Sequence, residues 1–279
     1  MRPFQQVDVF SAEPLRGNPV AVVHEAEGLS TEQMERFARW TNLSEATFLL
    51  PPTDAAADYR VRIFTQVGEL PFAGHPTLGT CHAWLAAGGA PRHPERIVQE
   101  CPAGLIPIRR IDGMLSFEAP PVIRSGPVAQ ADLERIARVL GITPGMIVDS
   151  QWVDNGPGWV AVMLESAEAV LELQPTGDGR HIDVGVVGMY PSGAECAYEV
   201  RAIFSNDRGE IMEDPVTGSL NASLAQWLVG AGIVQPPYVT SQGTAMGRAG
   251  RPRISAGDDG SIWVGGVTRT VVEGSVDVE

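Results

Sequence analysis

Cysteine, basic charge and long apolar runs are all scarce in this sequence, and each shortage removes a class of protein. The three cysteines, Cys81, Cys101 and Cys196, form no CxxC pair and no zinc spacing. In a cytosolic protein they read as reduced, mostly buried thiols. Lysine and arginine together number 20 against 34 acidic residues, so the formal net charge is −14. Phosphate backbones are bound by basic surfaces, so no nucleic-acid partner is expected. No stretch approaches the ~18 consecutive apolar residues of a membrane span. Residues 1–10 (MRPFQQVDVF) carry no long apolar run behind a basic head. A cytoplasmic location without membrane contact is expected. The Walker loop, the dinucleotide fingerprint and the G-x-S-x-G elbow are also missing. His75 and His82 share a helix face without a nearby carboxylate, and His24, His93 and His181 are isolated. Neither a metal nor an organic cofactor is expected.

What remains is an ordinary globular composition. The 279 residues are 44% hydrophobic and 19% charged, enough for one large or two medium domains. Residues 6–10 and 20–23 alternate or run apolar like strands. Ser30-Thr31-Glu32-Gln33 is a capping box that starts a helix, with Met34, Phe37 and Trp40 on its buried side. Strands are expected at 46–50 and 59–65, then a helix over 76–87 ended by Gly88-Gly89. Three more strands follow at 97–100, 106–110 and 114–118. The polar stretch 120–130 reads as a linker before a helix at 132–140 capped by Gly141. The segment 261–278 is strand-like and suited to pair with the first domain.

The second half repeats the first. Val20-Ala21-Val22 recurs as Val160-Ala161-Val162, and Arg62-Ile63-Phe64 as Arg201-Ala202-Ile203-Phe204. Gly68-Glu69 is echoed by Gly209-Glu210, and His75-Pro76 by Asp214-Pro215. Gly79-Thr80 matches Gly218-Ser219, and Leu85 matches Leu224. The near-constant offset argues for a duplicated pair of domains. The expected division is 1–122 joined by about 262–279, and 123–261.

Two matched loops carry the most chemistry. They are Glu69 through Thr77 (ELPFAGHPT) and Glu213 through Ser219 (EDPVTGS). Each sets an ionisable residue, His75 or Asp214, directly before proline at a helix start, where proline is well tolerated. Two helix starts facing one cleft would present free N–H groups to a carboxylate. The bland readings are a helix-start histidine bonded to a carbonyl and a plain aspartate N-cap. Glu45 stands before the apolar Phe48-Leu49-Leu50; there, partial desolvation would raise its carboxyl toward the range of a general base. A solvated surface glutamate is its bland reading. Asn18, in Gly17-Asn18-Pro19, reads as a turn residue.

These stretches together resemble the phenazine-biosynthesis PhzF-like family, related in fold to diaminopimelate epimerase. The resemblance runs over essentially the whole chain. Its carriers are Asp8-Val9-Phe10, residues 17–22 (GNPVAV), 42–48 (NLSEATF), 62–65 (RIFT), ELPFAGHPT, EDPVTGS, and the late stretch from Gln242-Gly243 to Gly247-Arg248. It implies an α+β fold of two pseudo-symmetric duplicated domains, each a curled mixed sheet around a central helix. It implies catalytic roles for Glu45, His75 and Asp214, with Asn18, Gly74, Gly218 and Ser219 lining the ligand. It implies a homodimer and a cofactor-independent isomerase similar to trans-2,3-dihydro-3-hydroxyanthranilate isomerase, acting on a small carboxylic acid. One departure stands out: Leu220 occupies a position where many members carry alanine, in the first turn of the central helix and placed to reshape the pocket.

Two other readings stay open, an epimerase of another metabolite and a non-catalytic metabolite-binding protein on the same fold. A two-thiol racemase needs a cysteine at each helix start. Neither start has one, because Cys81 lies more than a turn into its helix and Cys196 lies upstream of the second loop.

Overall fold

A computed structural model of the chain describes residues 1–176, 182–206 and 209–279. His181 lies outside the described residues. The chain begins with β1 (Arg2–Val9), β2 (Asn18–Val23), α1 (Thr31–Thr41), β3 (Glu45–Leu50), β4 (Tyr59–Phe64) and β5 (Glu69–Leu70). Then come α2 (Gly74–Ala86), β6 (Arg96–Cys101), β7 (Gly104–Ile111) and β8 (Met114–Glu118). It continues as β9 (Arg124–Gly126), α3 (Gln130–Leu140), β10 (Asp149–Asp154), β11 (Val160–Leu164), α4 (Ala167–Leu171) and β12 (Asp183–Met189). Next are β13 (Tyr198–Ser205), β14 (Ile211–Asp214) and α5 (Gly218–Gly230). The last elements are β15 (Tyr238–Val239), β16 (Ser241–Gln242), β17 (Arg253–Ala256), β18 (Ile262–Gly266) and β19 (Thr268–Val276). Contacts divide the chain into two units, Met1–Glu118 with Gly265–Glu279, and Ala119–Val264. The sequence puts those boundaries at 122 and 262.

In the first unit the strands run in the order β8-β7-β6-β4-β3-β2-β1-β19, with β5 paired to β4. Two of these pairs are parallel, β2 with β3 and β4 with β6. α2 touches β1, β2, β3, β8 and β19, strands from both ends of that order, so the sheet curls around it. Most of α2 is buried, Gly74 through Cys81 without a break, as befits a helix with no wet face. It lies so close to β2 that a Cβ on Gly79 would sit 2.3 Å from Val20 Cγ1. α1 covers the sheet elsewhere. Its capping box forms as the sequence predicts, with Ser30 Oγ accepting from the Gln33 N–H and Gln33 Oε1 accepting from the Ser30 N–H. Met34, Phe37 and Ala38 are its buried residues. Trp40 departs from expectation: it is 79% exposed and stacks on Phe37 with ring centroids 6.4 Å apart. The returning β19 pairs antiparallel with β1, from Arg2 opposite Val276 to Val9 opposite Thr268.

The second unit has the order β14-β13-β12-β11-β10-β9, with β16 added in parallel to β13. β11 and β12 are again a parallel pair. Leu220, Leu224, Trp227 and Leu228 of α5 pack with Val153, Ala161, Val187 and Tyr198 of the strands. A separate cluster joins Ile136, Val139 and Leu140 of α3 and Val170 of α4 to Val160, Val162 and Val186. The presumed linker at 120–130 contains β9, which pairs with β10 and lays the Arg124 guanidinium 3.3 Å from the centroid of the Trp152 ring. A short strand framed by Pro120-Pro121 and a polar tail carries little periodic signal, which is why it looks like a linker. Among the described residues, no helix is long and apolar enough to cross a membrane.

The duplication is physical. β2–α1–β3 and β11–α4–β12 are both strand, helix, parallel strand, and serines at 30 and 166 cap the two helices through their side chains. Arg62 forks onto Glu69 at 2.8 and 2.6 Å, and Arg201 onto Glu213 at 3.0 and 2.7 Å. α2 and α5 have 13 residues each and end alike, with Gly88 at φ 93° and Gly232 at φ 71° in the left-handed region that favours glycine. This register corrects the sequence matches around the helix starts, including Gly79-Thr80 with Gly218-Ser219, Leu85 with Leu224 and Gly68-Glu69 with Gly209-Glu210. Gly74 matches Gly218, so His75 matches Ser219, and Asp214 matches Leu70 rather than His75. The hairpin between β13 and β14, with Ile203 opposite Glu213, is longer than that between β4 and β5, with Phe64 opposite Glu69. The extra residues slide the two loops past each other in the sequence alignment.

Candidate active site

In the first unit three side chains converge because two parallel strands and the central helix all begin at one end. Asn18 opens β2, Glu45 opens β3 opposite Val20, and His75 is the second residue of α2. The turn before Asn18 is held from below. Asp8 Oδ2 accepts from the N–H groups of Arg16 and Gly17, both at 3.1 Å. Gly17 has no room for a side chain, since a Cβ would stand 2.2 Å from the Val9 carbonyl oxygen. Asn18 is thereby fixed and fully buried, and its Nδ2 lies 3.4 Å from His75 Nδ1. On the other side, His75 Nε2 lies 3.4 Å from Glu45 Oε2, with side chains 5% and 15% exposed. That separation is longer than a formed hydrogen bond and short enough to close into one.

Burial pushes the His75 ring down to about 3, against a hydrogen bond with the Pro19 backbone that pulls the other way. His75 is therefore neutral at neutral pH and holds a single proton. On Nε2 that proton faces Glu45, and on Nδ1 it leaves a lone pair facing Glu45. The pair can thus either stabilise a carboxylate or receive a proton from a carboxylic acid.

In the second unit Asp214 ends β14, opposite Ala202 of β13. The Thr217 hydroxyl donates to Asp214 Oδ2 at 2.5 Å. Gln242, fully buried in β16, donates from Nε2 to Thr217 Oγ1 at 3.0 Å and to the Asp214 carbonyl at 3.1 Å. Its Oε1 accepts from the Thr217 N–H at 3.0 Å and from Asn221 Nδ2 at 2.7 Å. Ser219 is anchored as well: its Oγ accepts from Trp159 Nε1 at 3.1 Å and its carbonyl from Asn155 Nδ2 at 2.9 Å. Neither α2 nor α5 has a side-chain cap at its start, which leaves the first-turn N–H groups around Gly74 and Gly218 to a ligand or water.

The structure therefore brings Glu45, His75 and Asn18 together, with Gly74 beside His75, and sets Asp214 near Gly218 and Ser219 on the second helix start. Leu220 belongs to the packed interior of the second unit. It is fully buried and fills the space above Gly185, where a Cβ would stand 2.4 Å from Leu220 Cδ1. Thr217 and Gln242 carry roles that residue types alone did not announce. Their signals in the sequence are EDPVTGS, which contains Thr217, and the late stretch that starts at Gln242-Gly243. Cys81 lies inside α2, fully buried, its thiol pushed up to about 12 by burial, which suits a core residue and not a thiolate.

Residues 7–274 match the family model described as phenazine biosynthesis-like protein. The chain is 38% identical over 264 residues to trans-2,3-dihydro-3-hydroxyanthranilate isomerase of Pseudomonas aeruginosa, covering 90% of this chain and 89% of that one. It is 33% identical over 291 residues to antisense-enhancing sequence 1 of Schizosaccharomyces pombe, with 97% of each covered. The crystal structure of a Bacillus anthracis phenazine biosynthesis protein of the PhzF family shares the fold, with a TM-score of 0.83 at 21% identity, covering 99% of this chain and 98% of that one. The match over nearly the whole chain and the shared fold establish that the chain belongs to the phenazine biosynthesis-like protein family.

Proposed function

We propose that this isomerase moves a proton within a small carboxylic acid by general acid–base catalysis, as its relative named trans-2,3-dihydro-3-hydroxyanthranilate isomerase suggests. Glu45 takes the proton from carbon and returns it elsewhere on the substrate. His75 and Asp214 hold or relay protons, and Asn18, Gly74, Gly218 and Ser219 line the substrate. The uncapped helix starts receive the substrate carboxylate, which a chain of net charge −14 otherwise repels. The observation that carries this reading is the Glu45–His75 pair, 3.4 Å apart and largely dry, with the ring kept neutral by burial. A neutral imidazole can hold and orient the Glu45 carboxylate through a hydrogen bond without placing a second charge in the buried site.

Two features favour side-chain acids and bases over other routes to the same proton transfer. No cysteine stands at the start of α2 or α5, which removes a two-thiol mechanism. The sequence contains no lysine, so a pyridoxal cofactor has no side-chain amine to hold it. The test is incubation in D2O with trans-2,3-dihydro-3-hydroxyanthranilate and a panel of small unsaturated and amino carboxylic acids, followed by NMR. Deuterium entering a carbon position of at least one acid is expected. Absence of exchange across the panel would favour a metabolite-binding protein instead.

A further inference from the structure

We infer that Gln242 is a positioning residue for Asp214, acting through the hydroxyl of Thr217. The inference rests on the reading of Asp214 as an acid–base group. Its basis is a count of donors and acceptors. Gln242 has two donors and two acceptor positions, and all four are engaged within 3.1 Å. The orientation of its amide is thereby decided. A flipped amide would point its NH2 at the Thr217 N–H and at the Asn221 amide nitrogen, both donors. Asn221 is itself held the right way round, because its Oδ1 accepts from Thr240 Oγ1 at 2.7 Å and its Nδ2 also donates to the Thr217 carbonyl at 3.0 Å.

The consequence falls on one proton. The Thr217 hydroxyl accepts from Gln242 Nε2, so its own hydrogen must point away, and Asp214 Oδ2 is the acceptor at 2.5 Å. Gln242 also grips the Asp214 carbonyl and the Thr217 N–H, which ties both ends of the turn from Asp214 to Thr217 to β16. Gln242, Asn221 and Thr240 are all fully buried, each at 0% exposure. In such a site a satisfied network holds a single arrangement, and one missing partner leaves the rest unpaired. Ordinary fold maintenance would need Gln242 only for the backbone bonds. The bond to Thr217 Oγ1 aims the hydroxyl at the carboxylate.

Deuterium wash-in on the full chain tests this with Asp214→Asn, Thr217→Val, Thr217→Ser, Gln242→Met and the Thr217→Val/Gln242→Met double variant. A hydrogen bond to a charged group corresponds to roughly 10- to 100-fold in rate. Thr217→Val and Gln242→Met should each lower kcat by about that factor with KM little changed. Thr217→Ser should keep the wild-type rate, and the double variant should be no slower than Thr217→Val. Additive losses in the double variant, or a wild-type kcat in Thr217→Val beside a slow Asp214→Asn, would overturn the inference alone. Asp214→Asn at the wild-type rate would instead overturn the reading of Asp214 on which it rests. A crystal structure of Gln242→Met gives a readout independent of turnover: Thr217 Oγ1 should leave Asp214 Oδ2. If Gln242→Met does not fold, Thr217→Val and Thr217→Ser still decide the matter, since both keep Gln242.

Discussion

The starts of α2 and α5 are built on one plan and equipped differently. In both, the fourth helix residue makes a buried hydrogen bond, to a residue of β6 in one unit and to Thr240, just before β16, in the other. Gln99 Nε2 donates to Thr77 Oγ1 at 2.9 Å in one, and Thr240 Oγ1 to Asn221 Oδ1 at 2.7 Å in the other. Two residues further along the chain the plan diverges, with Cys101 in the first unit and Gln242 in the second. Where β3 begins with Glu45 opposite Val20, β12 has Val184 opposite the matching Val160. Where α2 carries His75, α5 carries Ser219. The first unit thus keeps a dry carboxylate–imidazole pair, and the second keeps an aspartate aimed by a hydroxyl. A duplicated scaffold supplies two helix starts, and substitutions at a few matched positions equip them with different side chains.

The matched ion pairs give the largest test of that contrast. The Arg201–Glu213 pair is buried, with side chains 6% and 14% exposed, and Arg201 Nη1 also donates to the Leu173 carbonyl. Glu213→Gln leaves a buried guanidinium without its anion and should cost about 3–5 kcal/mol in urea unfolding. The Arg62–Glu69 pair is wetter, at 26% and 28%, so Glu69→Gln should cost about 1 kcal/mol or less. Equal losses would contradict the difference in burial.

Leu220 supplies the next effect. Leu220→Ala should destabilise the chain by about 2–5 kcal/mol, because it empties the space over Gly185. Gly185→Ala alone forces Leu220 aside, at a cost of about 1–3 kcal/mol. In combination the two substitutions should cost less than their sum, and strict additivity in thermal or urea melts would remove Leu220 from that contact.

His75 gives a smaller effect with a definite sign. Its folded-state value lies at about 3, below the unfolded value of 6.5, so between these limits the unfolded chain binds more protons. Its contribution is fully present above pH 6.5 and is lost as pH falls toward 3. The slope from this single group approaches about 1.4 kcal/mol per pH unit. Urea melts of wild type and His75→Asn should therefore diverge in stability as pH drops from 7 to 4.5, the wild type losing more. Parallel curves would mean that the ring is not held neutral. At the small end, Ser30→Ala removes the N-cap of α1 and should cost about 1 kcal/mol, measured the same way.

Much of this was legible in the residues. The capping box, the alternating strands and the paired loops are local signals, and each survives into the fold. Glu45, His75 and Asn18 are recognisable as types, but their meeting is not, since it depends on β2, β3 and α2 starting at one end of a curled sheet. The equivalence of His75 with Asp214 was misread for a related reason. Alignment by sequence follows proline and glycine, whereas the structure counts from helix ends, and a longer hairpin separates the two registers. Trp40 failed because periodicity marks a helix face and not its edge. Thr217 and Gln242 stayed invisible because a hydroxyl and an amide carry no chemistry until their partners are known.

The central claim is that Glu45, beside a neutral His75, carries the proton. The most direct measurement is the rate of deuterium wash-in from D2O into a substrate acid, compared between wild type and Glu45→Gln, which keeps the shape and removes the base. A loss of at least about 100-fold is expected in Glu45→Gln with substrate binding retained. Exchange at the wild-type rate in that variant would contradict it.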